Sequence, residues 1–433
     1  MKITFIRPNM TADRSSDAMP PLAFAALAAQ TPEGATIELY DECIEEIPEA
    51  IETDMIGLTV HTFSSRRAYE LADRYRMKGI PVVMGGYHPT FLPDEALSHA
   101  DAVVTGPAEG LWQEVVRDAG ANRLHRLYRS EVSPAGKDLK YDMTVFNGKN
   151  YGPLSLVEFT RGCRYSCEFC SINTFNQNTH TTRPFQAVVE DIENSGARKV
   201  LFLDDNFFSD KEEAWRLVEA LIPLKIRWGC QISIDIAGDR EMLELMAESG
   251  CVLLMIGFES LRGENLKQMR KGSHGSGTTF EEAIGQIKER GIMVYGSFVF
   301  GYDHDTLDVF EETLDFAMKN KFIATNFNTL NPLPGTRLYH RLKAEGRLKA
   351  EQWWLDEKYK YGEVMFEPRR MTPRQLKEGC IRIRFAFSSL PAILRRGLDF
   401  RANCRNRTNL GLFLLANLVT RREYKRKMKL IQD

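Results

Sequence analysis

Residues 154–170 read LSLVEFTRGCRYSCEFC, an apolar strand-like run followed at once by three closely spaced cysteines. The cysteines Cys163, Cys167 and Cys170 are separated by four and then three residues. In a barrel of alternating strands and helices, the loops after the carboxyl ends of the strands carry the chemistry. The segment therefore predicts the first strand of such a barrel, with a thiolate-bound metal centre at its end.

Five further strand-like segments follow, with helix-like segments between them. They cover residues 199–208, 226–237, 251–260, 292–302 and 322–332. Gly196, Gly250 and Gly291 each stand between a helix and the next strand, where a left-handed residue commonly ends a helix. Six strand–helix repeats predict a partial (β/α)6 TIM-type barrel rather than a complete eight-stranded one.

The first 120 residues also alternate between strands and helices. Their strand-like segments cover residues 2–8, 36–42, 54–62, 81–86 and 101–106. Apolar strands joined by helices predict an α/β fold with a Rossmann-like, doubly wound parallel sheet. The predicted domains are a front domain (1–125), a linker (126–150), the barrel (151–345) and a helical C-terminal domain (346–433).

Composition and charge limit the class of protein. The chain is 43% hydrophobic and 27% charged, as in ordinary globular proteins. It contains no apolar run of about 18 residues and no signal-peptide pattern at its start. These features predict a cytoplasmic protein in which the eight cysteines stay reduced rather than forming disulfides.

The C-terminal end is strongly basic. Residues 369–433 contain 17 Lys and Arg against four Asp and Glu, although the whole chain has a net charge of only −2. This pattern predicts a packed cap with a basic outer face, and peripheral membrane contact is the main alternative. No paired aromatic residues or RNA-binding module accompany the charge, so we expect no nucleic-acid partner.

The cysteine triplet suits an iron–sulfur cluster better than zinc. Structural zinc usually takes four ligands, and only the distant His180 offers a fourth here. Three thiolates leave one iron of a [4Fe–4S] cubane without a protein ligand, and that open site can be chelated by an amino acid group. The spacing therefore favours a cluster with an exchangeable ligand.

The segment FTRGCRYSCEFCSI (159–172) resembles the signature of the radical S-adenosylmethionine (SAM) enzymes, including the aromatic Phe169 before the third cysteine. This resemblance implies a [4Fe–4S] cluster that cleaves SAM reductively to a 5′-deoxyadenosyl radical. FLDDNFF (202–208), IGFES (256–260) and NPLPGT (331–336) resemble later family motifs, in the same order along the barrel. The SAM-binding residues expected from them and from the neighbouring strand are Phe169, Asp204, Asp205, Asn206, Gln231, Glu259, Ser260 and Pro332.

The front domain resembles the cobalamin-binding domain that precedes one large radical SAM subclass. GGYHPTFLPDEAL (85–97) and DAVVTGPAEG (101–110) carry the resemblance. The residues expected to bind cobalamin are Thr59, Val60, His61, Gly85, Gly86, Tyr87, His88 and Gly106. The D-x-H-x-x-G motif for cobalt ligation by histidine is absent, which argues against a histidine ligand. The alternative is a degenerate sheet kept for packing or substrate recognition.

The resemblance implies a methyltransferase that acts on an unactivated carbon or phosphorus of a small-molecule or lipid-like substrate. It also implies an external electron donor such as flavodoxin or ferredoxin. The first alternative is a cobalamin-independent radical SAM enzyme that transfers another SAM-derived group, such as aminocarboxypropyl, or catalyses a cyclisation or rearrangement. The second is a non-catalytic sensor that binds the cluster or cobalamin. No catalytic residue can be singled out from the sequence.

Overall fold

The computed structural model contains two six-stranded parallel sheets and a helical C-terminal region. It describes residues 1–433 except 12–13, 16–17, 131–138, 153, 272–277, 361 and 433, and for residues 427–432 it describes the backbone only. Among the helices described, none combines the length and the apolarity that a membrane span requires.

The first sheet has the strand order β2-β1-β3-β4-β5-β6, with every neighbouring pair parallel. Its strands are β1 (Lys2–Arg7), β2 (Thr36–Asp41), β3 (Met55–Thr59), β4 (Val82–Gly85), β5 (Ala102–Thr105) and β6 (Leu127–Arg129). Its helices are α1 (Leu22–Gln30), α2 (Ser65–Arg76), α3 (Tyr87–Phe91), α4 (Pro93–Leu97) and α5 (Trp112–Gly120). The order reverses between β1 and β3, and such a switch point opens a crevice at the carboxyl ends of the strands.

The predicted linker 126–150 is wrong at its start, because β6 lies inside it. This short strand pairs with β5, and the buried Tyr128 donates a hydrogen bond of 3.0 Å to Asp118. A second short element, a 3₁₀ turn over Met143–Phe146, packs near α1. Three residues are too few for periodicity to reveal a strand, so only the pairing identifies it.

The second sheet has the order β14-β13-β12-β11-β10-β7 and forms the predicted partial barrel. Its strands are β7 (Ser155–Val157), β10 (Lys199–Phe202), β11 (Arg227–Ile232), β12 (Cys251–Glu259), β13 (Met293–Phe300) and β14 (Ala324–Thr329). Its main helices are α7 (Phe185–Ser195), α8 (Lys211–Leu221), α9 (Arg240–Glu248), α11 (Phe280–Glu289), α12 (Val309–Lys319) and α13 (Arg337–Ala344), with the short α6 (Ser171–Phe175) and α10 (Gly263–Gln268) in loops.

The first barrel strand ends earlier than predicted. The sequence predicts one strand over 154–162, but the chain leaves the sheet after Val157 and residues Thr160–Gly162 form β8, which pairs antiparallel with β9 (His180–Thr182). The backbone N–H groups of Phe159 and Thr160 both donate to the Asp204 carboxylate. These two bonds replace ladder bonds, and they turn the chain away from the sheet.

The C-terminal region caps the open side of the barrel. It contains α14 (Pro373–Phe387), α15 (Leu390–Gly397) and α16 (Arg407–Gln432), and α14 packs on β14 and α12. Arg396 is fully buried; it donates to the backbone oxygens of Phe322 and Ile323 and to the side chain of Asn417. Burial lowers the pKa of Arg396 to about 9. The predicted packed cap is therefore present.

Candidate functional site

The three cysteines lie in the loop between β8 and β9. Because these two strands pair antiparallel, the loop is closed at its base and stands near the carboxyl end of β7. Gly162 has a φ of +78°, and a Cβ there would lie 2.2 Å from the Thr179 carbonyl oxygen. Only glycine therefore allows the loop to close in this form.

Two contacts that the sequence did not reveal fix this cysteine loop to the barrel. The Tyr165 hydroxyl donates to Asp235 at 2.9 Å, so Asp235 holds the loop, while Asp239 caps α9. On the other side, the carboxylate of Glu168 accepts a hydrogen bond of 2.9 Å from Arg341 of α13. The sequence offered only weak indications of these contacts, because a single acidic or basic residue in a loop or helix is usually exposed to solvent.

The thiols of the loop fit a cluster. Burial raises the pKa of Cys167 to about 12, against the opposing charge of Lys271, and raises the pKa of Cys170 to about 11. Burial also raises the pKa of Cys163, and the neighbouring Asn206 side chain opposes that rise. Such thiols become thiolates only when a metal compensates the charge.

The spacing of the sulfur atoms argues against a single zinc ion. Zn–S bonds of about 2.3 Å would bring three Sγ atoms to within about 4 Å of one another. In the part of the chain that the structure describes, the three Sγ atoms do not all lie within 4.8 Å of each other. The three thiols are therefore not arranged around a single zinc position.

The adjacent carboxylates Asp204 and Asp205 have different surroundings. Asp204 is 1% exposed and is occupied by the backbone of residues 159 and 160, so its predicted contact with SAM does not fit its burial. Asp205 is half-buried and accepts from the Gly162 N–H at 2.9 Å. Burial raises the pKa of Asp204 to about 7 and that of Asp205 to about 6.

The other residues expected to bind SAM also differ in how enclosed they are. Gln231 donates to the backbone oxygen of Asp205 at 3.2 Å, and Glu259 accepts from Lys271 at 2.9 Å. Ser260, in contrast, is buried and accepts hydrogen bonds from Arg262 and Asn265, and its contact with SAM stays a prediction.

Two apolar members of the predicted set also have structural partners. Phe169 packs edge-on to Tyr302, with ring centroids 6.5 Å apart. Pro332 is buried, and its carbonyl oxygen accepts from the Trp353 indole at 3.1 Å. Chemically, the carboxylates of Asp205 and Glu259 remain suited to the ammonium and hydroxyl groups of SAM.

A cavity of about 440 Å³, the central cavity, lies between the two sheets. From the front sheet it is lined by Thr59, His61, Gly85, Gly86, Tyr87 and Gly106. From the barrel side it is lined by Glu158, Thr160, Arg161, Phe175, Asn176, Leu203 and Asp205. It therefore occupies the crevice that the strand order of the first sheet predicts.

The front wall of the central cavity suits a large flat cofactor. A Cβ on Gly85 would meet only Val104, at 3.7 Å, so a side chain could be accommodated there without backbone strain. The glycine therefore leaves open space in the central cavity. Gly86 has a φ of +104°, and a Cβ there would lie 3.0 Å from the Val60 carbonyl oxygen. Phe5 and Trp112 give this side of the central cavity an apolar lining, which suits the apolar faces of a corrin or its nucleotide base.

The two histidines of the front domain differ in their surroundings. His61 lines the central cavity, and its ring stacks on Tyr87 at 5.9 Å. His88 is fully buried, 2.9 Å from Glu95 and 3.1 Å from Tyr69. Both ring nitrogens of His88 thus have partners within the front domain, and its contact with cobalamin stays a prediction.

Val60 is also a structural residue rather than a lining one. It is fully buried, its N–H donates to the Gly85 oxygen at 2.9 Å, and its oxygen accepts from His88. Its predicted cofactor contact does not fit this burial. The β3 and β4 ends are instead held together through Val60, which positions the glycines that do line the central cavity.

One polar group of the central cavity was not predicted. Arg161, two residues before Cys163, pairs with Glu109 of the front domain at 2.7 Å and also with Glu158. These carboxylates hold the pKa of Arg161 well above its usual value. The ion pair joins the front domain to the cysteine loop, and no local pattern could have revealed a contact between residues so far apart in the chain.

Comparison with known families agrees with this geometry. Residues 157–317 match the Radical SAM superfamily, and residues 11–116 match the B12 binding domain. The chain is 31% identical over 354 residues to bacteriochlorophyllide d C-12(1)-methyltransferase of Chlorobaculum tepidum, covering 79% of this chain and 76% of the relative. It belongs to the cobalamin-dependent radical SAM enzymes. The predicted family, enzyme class and cofactors, a [4Fe–4S] cluster, SAM and cobalamin, are confirmed.

Other members of the family differ in the reactions that their names state. Hopanoid C-2 methylase of Rhodopseudomonas palustris is 27% identical over 351 residues, covering 76% of this chain and 65% of the relative. Anaerobic magnesium-protoporphyrin IX monomethyl ester cyclase of Cereibacter sphaeroides is 23% identical, covering 93% and 73%. The relatives of this cobalamin-dependent radical SAM enzyme therefore include methylases as well as a cyclase.

Solved structures confirm the predicted fold class. The radical SAM methyltransferase TsrM of Kitasatospora setae, with cobalamin and a [4Fe–4S] cluster bound, superposes with a TM-score of 0.61 at 17% identity, covering 79% of this chain and 75% of that one. OxsB with aqua-cobalamin bound gives a TM-score of 0.57 at 16% identity, covering 79% of this chain and 55% of that one. At these identities the likeness concerns the fold alone.

Proposed function

We propose that this enzyme transfers a methyl group from SAM to an unactivated carbon of a small, largely apolar organic substrate. The observation that carries the proposal is the central cavity, which brings the carboxyl ends of both sheets to one space beside the cysteine loop. The named activities of the methyltransferase relatives support methyl transfer to carbon over transfer to phosphorus.

Each wall of the site has a distinct task in this proposal. Cys163, Cys167 and Cys170 hold the cluster, while Asp205 and Glu259 accept hydrogen bonds from SAM. The glycines at the end of β4 leave room for cobalamin, and Arg161 with Glu109 closes the front domain on the cysteine loop. When bound, the three cofactors supply the methyl group and the radical chemistry. The chain orients them and excludes water.

The test is anaerobic reconstitution with iron, sulfide and hydroxocobalamin, followed by incubation with SAM carrying a deuterated methyl group. We expect four irons and one cobalt per chain, 5′-deoxyadenosine, and a deuterated methyl group in an organic extract. Bound cobalt and 5′-deoxyadenosine with an unlabelled, rearranged product would instead indicate a cyclase. A different SAM-derived group in the product would support the cobalamin-independent alternative, and absence of any SAM cleavage would support the sensor.

We also propose that the enzyme works in the cytoplasm with an external one-electron donor such as flavodoxin or ferredoxin. The cluster cysteines need a reducing compartment, because disulfides between them would remove the ligands. Omitting the donor from an otherwise complete mixture should abolish 5′-deoxyadenosine formation. Formation at an unchanged rate without any reductant would contradict the proposal.

The C-terminal helices supply a surface for peripheral membrane contact. Eight of the thirteen exposed large hydrophobic side chains among the described residues lie there: Phe385, Leu390, Leu394, Leu398, Phe400, Leu414, Leu415 and Leu418. They stand among the 13 excess positive charges of residues 369–433. Exposed leucines beside arginines suit the headgroup region of an anionic bilayer.

This contact is testable by flotation with vesicles. Wild-type enzyme should float with phosphatidylglycerol vesicles and much less with phosphatidylcholine vesicles. Replacing Leu394 and Leu398 by Ser should reduce flotation severalfold, because each removes exposed apolar area. Leu307→Ser is the matched control, since Leu307 is 49% exposed on the barrel. Equal flotation of both variants would contradict the assignment of the surface.

A further inference from the structure

A second cavity, of about 660 Å³, lies beside the central cavity. It is formed by the carboxyl ends of β1 and β14 together with α14 and α16. Its polar lining includes the three arginines Arg7, Arg384 and Arg426 and the amides of Asn328 and Asn331. Met19 and Phe63 give it an apolar part. None of the residues discussed above as a cofactor ligand lines it.

The described lining residues of the second cavity carry positive charge. They include no Asp or Glu. Arg7 pairs with the buried Asp41 at 3.2 Å and Arg426 with Glu423 at 2.6 Å, but both carboxylates lie outside the lining. The three arginines therefore line the second cavity, whereas the carboxylates that pair with two of them are not among its lining residues.

Two of the arginines keep unused hydrogen-bond donors. In the described part of the chain Arg384 forms no ion pair, and only its Nε donates, to the Phe327 carbonyl oxygen at 2.8 Å. Nε and Nη1 of Arg426 are buried, and neither has a hydrogen-bond partner among the described residues. Buried donors without acceptors are costly, so an acceptor from a ligand would be favourable here.

The two cavities are neighbours. Arg7 and Met19 line both cavities, so these two residues form the wall that the cavities share. A molecule held in the second cavity would therefore lie next to the space assigned to the cofactors. In the central cavity the carboxylates of Glu109, Glu158 and Asp205 offset Arg7 and Arg161. The described lining of the second cavity has three arginines and no carboxylate, so an anion is better matched to the second one.

We propose that the second cavity binds an anionic oxygen group, a carboxylate or a phosphate, of the substrate that is methylated. The proposal rests on the proposed function, because the occupant is taken to be the methyl acceptor. Guanidinium groups bind such oxygens with paired, charge-assisted hydrogen bonds. Arg384 is the main specificity-determining residue, since it has no carboxylate of its own. The apolar lining near Met19 accepts the rest of the molecule.

Cys43 provides a readout that does not need the substrate. This cysteine lines the second cavity and is partly exposed. On the reconstituted enzyme, its alkylation by anionic iodoacetate and by neutral iodoacetamide is followed by peptide mass spectrometry. The high thiol pKa slows both reagents alike, so the ratio of the two rates reports the charge of the cavity. We expect Arg384→Gln to lower this ratio at least fivefold.

Matched variants separate this effect from a general loss of charge or fold. Arg382→Gln removes an exposed arginine of the same helix that pairs with Glu311 outside the cavity, and it should leave the ratio unchanged. Arg384→Lys should retain most of the ratio. An equal ratio in wild type and Arg384→Gln, or an equal fall in Arg382→Gln, would overturn the proposal.

The class of ligand is tested by protection of Cys43 from iodoacetamide. Octanoate or octyl phosphate should slow the alkylation of the wild-type enzyme, whereas octanol at the same concentration should not. The anion that protects Cys43 better identifies the anionic group of the ligand. Equal protection by octanol would overturn the proposal. Iron and cobalt contents of the same samples report the proposed function independently, so failure of one conclusion is distinguishable from failure of the other.

Discussion

The two six-stranded parallel sheets face the same central cavity but line it in opposite ways. The front sheet lines it with the glycines Gly85, Gly86 and Gly106, whereas the barrel side lines it with the charged side chains of Glu158, Arg161 and Asp205. The three cysteines stand in the loop beside it. A large cofactor held by many weak contacts needs space, and a metal cluster needs specific ligand atoms. If the two walls are independent, each cofactor should be removable without the other.

The largest expected effect is on the barrel side. Cys167→Ala removes one of three cluster ligands, so SAM cleavage should fall at least about 100-fold and iron should be lost. Cobalt content should remain near one per chain, because no residue of the front sheet changes. Iron analysis and 5′-deoxyadenosine quantification test this. Cys230→Ala, which changes a fully buried cysteine of β11, is the control and should keep its iron. Loss of cobalt together with iron would show that the walls are coupled.

The reverse experiment fills the front wall. Gly85 lies at a strand end and has no strained φ, so Gly85→Val should fold while its side chain enters the central cavity. We expect cobalt binding to fall at least tenfold, on the order of 1.4 kcal/mol or more, with iron unchanged.

Gly86→Ala is the contrasting variant, because its φ of +104° makes any Cβ strained. It should lower the free energy of unfolding by about 1–2 kcal/mol. If Gly85→Val keeps full cobalt content, the front wall does not face the corrin.

The same contrast explains how much of the site could be predicted from the sequence. The cysteine spacing and the strand–helix alternation are local patterns, so the family and the partial barrel could be predicted from them. Asp204 and Asp205 are adjacent, and only the turn after Val157 decides which of them is enclosed. Local sequence carries no information about that turn.

Contacts between residues far apart in the chain were the hardest feature to predict from the sequence. The Arg161–Glu109 pair joins two domains, and the second cavity combines Arg7 from the first strand with Arg426 from the last helix. The predicted basic C-terminal region was real, but its charge could not be assigned to a cavity before the helices were packed. The short β6 was missed for a similar reason, because only its pairing with β5 identifies it.

A stability measurement distinguishes the two histidines of the front sheet. His88→Ala removes a fully buried ring and leaves Glu95 and Tyr69 without one partner each, so the free energy of unfolding should fall by about 2–3 kcal/mol. His61→Ala changes a ring that faces the central cavity and should cost less than about 0.5 kcal/mol. Urea denaturation of both variants measures the difference. Equal destabilisation would mean that His61 is also a packing residue.

The last prediction concerns the adjacent carboxylates Asp204 and Asp205 and depends on pH. The pKa of Asp204 is raised from 3.8 to about 7, so the folded state holds a proton that the unfolded state has lost. This contribution to stability is complete below pH 3.8 and is lost as pH rises through about 7. Asp204→Asn stays neutral throughout, so its stability relative to wild type should increase between pH 5 and pH 8. We expect an increase of about 1–2 kcal/mol, below the upper bound of about 4 kcal/mol.

Asp205→Asn is the comparison for this pH dependence, because the pKa of Asp205 is raised only to about 6. Its stability difference from wild type should be smaller and should level off about one pH unit lower. Its main consequence should be weaker SAM binding, since Asp205 lines the central cavity and Asp204 does not. Urea denaturation at five pH values together with SAM titration tests both statements. If Asp204→Asn weakens SAM binding as strongly as Asp205→Asn, both carboxylates reach SAM and the enclosed position of Asp204 does not hold in the loaded enzyme.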